Sequence, residues 1–253
     1  MSRVLPASDI DVGYLWSELR QAIPLITRGD PYILSLIWLT IRVAVISTAS
    51  ALVIGLPIGL ALGLGHFRGR RALQILANAS LALPPVIVGV VVLVLLLPQG
   101  VFGSLRIEFT LTAVYVVQTI LALPYIVALT PAAIQGLPAG LLSQARLLGA
   151  GRLQVALLAL REAKIGVIAA VIAALGASLS EVGAIVIVGG NIQGSDQTLA
   201  SAVLQQINDY ANYPYAIAIG IVLLVLILLL AAVLTVLQQR TSGIHLRFRA
   251  ASA

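Results

Sequence analysis

The segment Leu142-Ser143-Gln144-Ala145-Arg146-Leu147-Leu148-Gly149-Ala150-Gly151-Arg152-Leu153 interrupts an otherwise very hydrophobic chain. Its apolar residues recur at helical spacing, and Arg146 and Arg152 flank a Gly-Ala-Gly hinge. This pattern predicts a short bent helix that lies at a membrane surface. Because a bare connection between two helices needs only a few residues, we expect residues 137–162 to contact a partner in the cytoplasm.

The composition places the chain in a membrane. Of its 253 residues, 60% are hydrophobic and 9% are charged, and the mean hydropathy is +1.08. These values exclude a soluble globule with a polar surface. The aliphatic runs exceed the roughly 18 to 20 residues that cross a bilayer as a helix, so an all-α integral membrane protein is predicted. With no cysteine and two isolated histidines, neither a metal site nor a bound cofactor is expected.

Five hydrophobic runs predict five membrane spans within one transmembrane domain that covers residues 1–253. They lie at about residues 33–64, 73–97, 111–131, 165–188 and 216–237. Residues 14–28 alternate apolar and polar side chains and include Trp16. That pattern favours an amphipathic helix at the membrane interface over a sixth span.

The basic residues predict the orientation of the spans. Ten of them fall in the connections after the first and third spans and in the C-terminal tail: Arg68, Arg70, Arg71, Arg146, Arg152, Arg161, Lys164, Arg240, Arg247 and Arg249. The opposite side carries four: Arg3, Arg20, Arg28 and Arg106. The positive-inside rule therefore places the N-terminus outside and the C-terminus in the cytoplasm. The net charge of +6 follows from this topology and from anionic lipid, so no nucleic-acid partner is expected.

Two motifs together resemble those of ABC-importer permeases. In their signature loop a Glu-Ala-Ala triplet precedes a glycine at fixed spacing; here Ser143-Gln144-Ala145 occupies the triplet and Gly149 the glycine. Ser143 replaces the glutamate, and Leu160-Arg161-Glu162-Ala163 stands where the loop usually ends in proline. The run from Ser180 to Ile192, SEVGAIVIVGGNI, closely resembles the fourth-span signature of the tungstate-type permeases.

The resemblance implies a function, a type I importer fold and a set of partners. It implies a homodimeric inner-membrane permease that imports tungstate or a related oxyanion (molybdate, sulfate or vanadate), served by an external substrate-binding protein. ATP and Mg would be bound by two copies of a separate ATPase. By the same resemblance, the residues that couple this ATPase to transport are Ser143, Gln144, Ala145, Arg146, Gly149 and Arg152.

The chain carries no ATP-binding motif of its own. A Gly-x-x-x-x-Gly-Lys-Ser/Thr loop is absent, and the only lysine, Lys164, lies at a span boundary. We therefore expect no enzyme activity in this subunit. The alternative function is an ATP-independent secondary transporter or channel for a small anion, which predicts more charge in the spans and inverted repeats.

Four residues are candidates for the transport path or its gate. Glu181 is an acid deep in a predicted span, and Ser178 lies one helical turn before it. A carboxylate at that depth must find a partner or a wet cavity, and a structural role that ties helices together is favoured. Arg42 is a cation inside the first span, expected either to extend to the interface or to pair with Glu181. Asn191 follows two glycines in a loop that forms either a plain turn or an anion-binding nest.

Two further patterns leave their role open. Gly55, Gly59 and Gly63 recur every four residues, which permits close helix packing either within the subunit or between two copies. Asp196, Asp209 and the polar residues 205–212 are candidates for receiving the external binding protein.

Overall fold

The computed structural model describes residues 12–250, and this part of the chain is helical. Its α-helices are α1 Val12–Thr27, α2 Pro31–Leu64, α3 Arg70–Ser80, α4 Pro85–Leu96, α5 Leu111–Gln135, α6 Leu141–Leu147, α7 Arg152–Glu162, α8 Lys164–Ser180, α9 Gly183–Gly189, α10 Leu199–Asn208 and α11 Tyr213–Ala250. A single 3-10 turn, Gly103–Leu105, follows α4. The all-α prediction is confirmed.

Three helices are long and apolar enough to cross a membrane without interruption: α2, α5 and the first part of α11, Tyr213–Val236. The second and fourth predicted spans are each broken in two. The helix direction bends by 103° between α3 and α4, and by 62° between α8 and α9. The described residues therefore contain three candidate spans, or up to five if each bent pair forms one span. The predicted spans 73–97 and 165–188 coincide with these two bent pairs, and that each pair forms one span stays a prediction.

Local sequence explains the first of these breaks. Helix α4 begins at Pro85 directly after Pro84, whose backbone is extended. Proline lacks the N–H that a continuing helix needs, and its ring clashes with the preceding turn, but it is well tolerated at the first helical position. The residues between α3 and α4 therefore form a corner, and α4 starts in a new direction.

The centre of the bundle is the contact between α2 and α5. Gly55, Gly59 and Gly63 lie against Ile126, Thr130 and Ile134 of α5, respectively. A Cβ atom at Gly59 would lie only 2.7 Å from Cβ of Thr130, so the two backbones approach more closely than side chains on both helices would allow. The glycine stripe therefore serves packing within the subunit.

Two short helices, α1 and α10, pack against the long helix α11. Helix α1 has 16 residues and packs through Ala22 into a core with Ala218 and Ile219 of α11 and Leu199 of α10. It is thus an amphipathic helix seated on the bundle. Helix α10 has 10 residues, too few to cross a bilayer, and it was not predicted from the hydrophobic runs.

Candidate functional site

The bent segment predicted from the sequence is two helices joined by a tight turn. Helix α6 ends at Leu147 and α7 begins at Arg152. Between them Gly149 has φ +90°, in the left-handed region that favours glycine, and no atom lies within 4 Å of the position that its Cβ would take. Gly151 has φ −70° and ψ 168°, an extended conformation open to any residue. The Gly-Ala-Gly hinge therefore uses the left-handed backbone at Gly149 and an ordinary backbone at Gly151.

One face of this segment is fixed to the bundle. Val155 and Ala159 of α7 are buried, and Leu142 of α6 packs against the cluster formed by Ala159, Ala163 and Ile134. The Gly151 N–H donates to Oε1 of Gln154 at 2.8 Å, which orders the start of α7. The segment is therefore a structured part of the molecule.

The other face of the segment is apolar and uncovered. Leu147, Leu148 and Leu153 are 86%, 88% and 73% exposed. Three leucines presented together at the tip of a bent helix form an apolar patch that suits a partner's groove. We call these three residues the leucine tip. The residues predicted from the sequence are the polar and glycine positions around the turn, whereas the most exposed large apolar side chains of the segment are these leucines.

The predicted coupling residues lie in the same segment as the leucine tip and differ in their exposure. Ser143, Gln144 and Gly149 are exposed, and Ala145 is half-buried. Arg146 and Arg152 both line a cavity of about 580 Å³ between the segment and the end of α2, and His66 lines it too. The sequence had given His66 no role, because only the tertiary structure places it beside two guanidinium groups.

Glu181 lies at the break between α8 and α9. Its Oε1 accepts a hydrogen bond from the Ala184 N–H at 2.9 Å, so its carboxylate caps the start of α9 and does not pair with Arg42. Arg42 is exposed on α2. Ser178 is buried and lines the same cavity as Glu181. The structure thus brings Ser178 and Glu181 together and leaves Arg42 apart from them.

The glycine-rich loop after α9 is held together by hydrogen bonds from its backbone to the carboxylate of Asp196. The Asp196 carboxylate is buried and accepts hydrogen bonds from the N–H groups of Asn191 at 3.0 Å and Ile192 at 2.9 Å. Burial raises the pKa of this carboxyl above its ordinary value. The Asn191 side chain donates to the carbonyl of Ser201 at 3.3 Å. Asp196 thus occupies the amides that an external anion would need and is itself buried, and that Asp209 and residues 205–212 receive an external binding protein stays a prediction.

Replacing Asp196 by alanine is expected to lower the free energy of unfolding by about 2 kcal/mol, because two backbone N–H groups lose their acceptor. Thermal unfolding of the purified protein in detergent measures this change. Asp209→Ala is the matched control, since Asp209 is exposed near the same loop and should cause little change. Equal shifts for the two variants would contradict the assigned role of Asp196.

Known proteins similar to this chain agree with these features. It is 33% identical over 226 residues to the tungstate uptake system permease protein TupB of Peptoclostridium acidaminophilum, covering 89% of this chain and 99% of the relative. It is 36% identical to a probable anion ABC transporter permease protein of Haloferax volcanii, covering 86% and 96%.

Solved structures share the fold at lower identity. A chain of the inward-facing MetNI methionine ABC transporter superposes with a TM-score of 0.63 at 20% identity, covering 92% of this chain and 99% of that one. A chain of a bacterial ABC transporter that imports alginate gives 0.67 at 19% identity, covering 91% and 90%. The family model described as the inner membrane component of binding-protein-dependent transport systems matches residues 55–243. This chain belongs to that family, and its apolar helices are those of a multi-pass inner-membrane permease subunit.

Proposed function

We propose that this chain is the permease subunit of an ATP-driven importer of tungstate or a related oxyanion such as molybdate, sulfate or vanadate. The observation that carries the proposal is the similarity to a tungstate permease over nearly the whole of both chains. In this proposal two copies of the chain form the path, because three to five spans enclose a channel poorly on their own. The N-terminus lies outside and the C-terminus in the cytoplasm.

The second part of the proposal concerns energy coupling. Two ATPase subunits bind ATP and Mg, and each receives the leucine tip of one permease copy in an apolar groove. Arg146 and Arg152 stand beside the tip, which suits an acidic rim around such a groove. Because α7 is buried against α2 and α5 through Val155 and Ala159, a displacement of the tip would move the membrane helices with it. An external binding protein delivers the oxyanion from the opposite side.

Co-purification from the native membrane in mild detergent tests the proposal. We expect a P-loop ATPase to remain bound in stoichiometric amount, and the reconstituted complex to take up tungstate into vesicles only with ATP and the binding protein. Leu148→Asp should greatly reduce the bound ATPase, because it places a charge in an apolar contact. An oligomer of this chain that carries no ATPase subunit and transports the anion without ATP would instead establish a secondary transporter or channel.

A further inference from the structure

A cavity of about 260 Å³ lies where the two broken helix pairs meet α5. The corner between α3 and α4 forms one wall, and the break between α8 and α9 forms another. Gly89 of α4 keeps these walls close, since a Cβ atom there would lie 2.8 Å from Cα of Ala184 on α9. The polar side chains that line the cavity are Ser80, Gln118, Tyr125, Ser178 and Glu181.

Gln118 is the unusual member of this set. Its side chain is 0% exposed, and neither its Nε2 nor its Oε1 has a hydrogen-bond partner among the described residues. An unsatisfied buried polar group lowers the stability of the folded protein by about 1–3 kcal/mol. A glutamine with both groups unsatisfied is therefore poorly explained by packing alone. A leucine would fill the same space without this cost. The amide therefore points to a ligand that enters the cavity.

The chemistry of the lining indicates the class of that ligand. The amide of Gln118 offers two N–H donors, and the hydroxyl of Ser178 offers one more. No lysine or arginine lines the cavity. The Glu181 carboxylate is directed to the Ala184 N–H, at the positive end of α9, which offsets part of its charge. Neutral donors hold an oxyanion briefly and release it, as a transport path requires.

We propose that Gln118 and Ser178 form a contact point for the transported oxyanion, at which the amide and the hydroxyl donate hydrogen bonds to its oxygens. This inference rests on the proposed function and adds the residues that the substrate touches within the permease. Gln118 lies seven residues into α5, about 10 Å from the start of that helix at 1.5 Å per residue. The contact point is therefore inside the bundle, between two helix breaks whose rearrangement would open or close it.

Tungstate uptake by the complete transporter in vesicles, combined with thermal unfolding, tests this inference. Gln118→Leu is expected to raise the unfolding temperature, because it removes an unsatisfied amide, and to lower uptake about tenfold. Gln118→Asn, which keeps an amide, should retain more uptake than Gln118→Leu. A binding role thus predicts that stability rises while transport falls, which a purely structural residue would not produce.

The same helix offers a matched control. Thr130 of α5 is also 0% exposed and its hydroxyl also lacks a partner, but it faces Gly59 and does not line the cavity. Thr130→Val should raise the unfolding temperature and leave uptake unchanged.

Three outcomes would overturn the inference. If Gln118→Leu transports as well as the wild type, the amide does not contact the substrate. If Gln118→Leu unfolds at a lower temperature, the amide supports the fold instead. Wild-type vesicles that take up no tungstate, molybdate, sulfate or vanadate would overturn the proposed function and this inference with it, whereas the first two outcomes leave the proposed function intact.

Discussion

Gly149→Val is expected to leave the protein folded and inserted in the membrane while reducing ATP-dependent uptake by about tenfold or more. Gly149 has φ +90°, and a β-branched residue is strained there by about 1–3 kcal/mol. The turn would relax to a different angle, and the leucine tip would point away from its partner. Nothing lies within 4 Å of a Cβ at this position, so the fold itself is not crowded. The ratio of tungstate uptake to ATP hydrolysis in vesicles measures the effect.

Two variants of the same turn control for this prediction. Gly149→Asn should retain more uptake than Gly149→Val, because asparagine tolerates the left-handed region better than a β-branched residue does. Gly151→Ala should behave as the wild type, since Gly151 has an ordinary φ and a Cβ atom there would make only a van der Waals contact of 3.8 Å with Oε1 of Gln154. Normal uptake by Gly149→Val would show that the turn geometry does not couple the ATPase to transport.

Gly59→Leu is expected to prevent stable folding of the membrane domain. A Cβ atom at Gly59 would already lie 2.7 Å from Cβ of Thr130, and the rest of the leucine side chain has no space between α2 and α5. Helices forced apart at their central contact lose packing along their whole length, and we expect a loss of about 3 kcal/mol in the free energy of unfolding. The fraction of monodisperse protein after detergent extraction and its unfolding temperature measure this loss.

Gly220→Ala is the control for Gly59→Leu. Gly220 lies within α11, and no atom is within 4 Å of its Cβ position. Because alanine favours the helix more than glycine does, this variant should be as stable as the wild type or slightly more stable. A Gly59→Leu protein that is extracted and unfolds like Gly220→Ala would contradict the close packing of α2 on α5.

The sequence predicted well those features that depend on local patterns. Hydrophobic runs of bilayer length gave α2, α5 and α11, and the helical spacing around Gly149 gave the bent segment α6 to α7. Both signals come from residues near one another in the chain. Helix length and amphipathic character can therefore be predicted from these residues directly. The motif around Glu181 likewise indicated the family before any fold was known.

The candidate site was less predictable, because its parts come from distant positions. Glu181 looked like a charge buried in a continuous helix, yet it caps a new helix at a break. Asp196 looked like an exposed acid, yet it occupies the loop amides beside Asn191. Gln118 was not among the predicted site residues, because a single glutamine in a predicted span forms no sequence motif. Only the fold shows that its amide lacks a partner.

The sequence by itself determined that this protein is an all-helical membrane protein, because composition and the length of the hydrophobic runs set how a chain partitions between water and bilayer. The permease family was indicated by the resemblance of two motifs. The tertiary structure alone decided what each polar residue touches. It joined Arg146 and Arg152 with His66, and it placed the glycine stripe of α2 on α5. Hydrogen bonds and close contacts act over a few ångströms, so they depend on which distant residues the fold brings together.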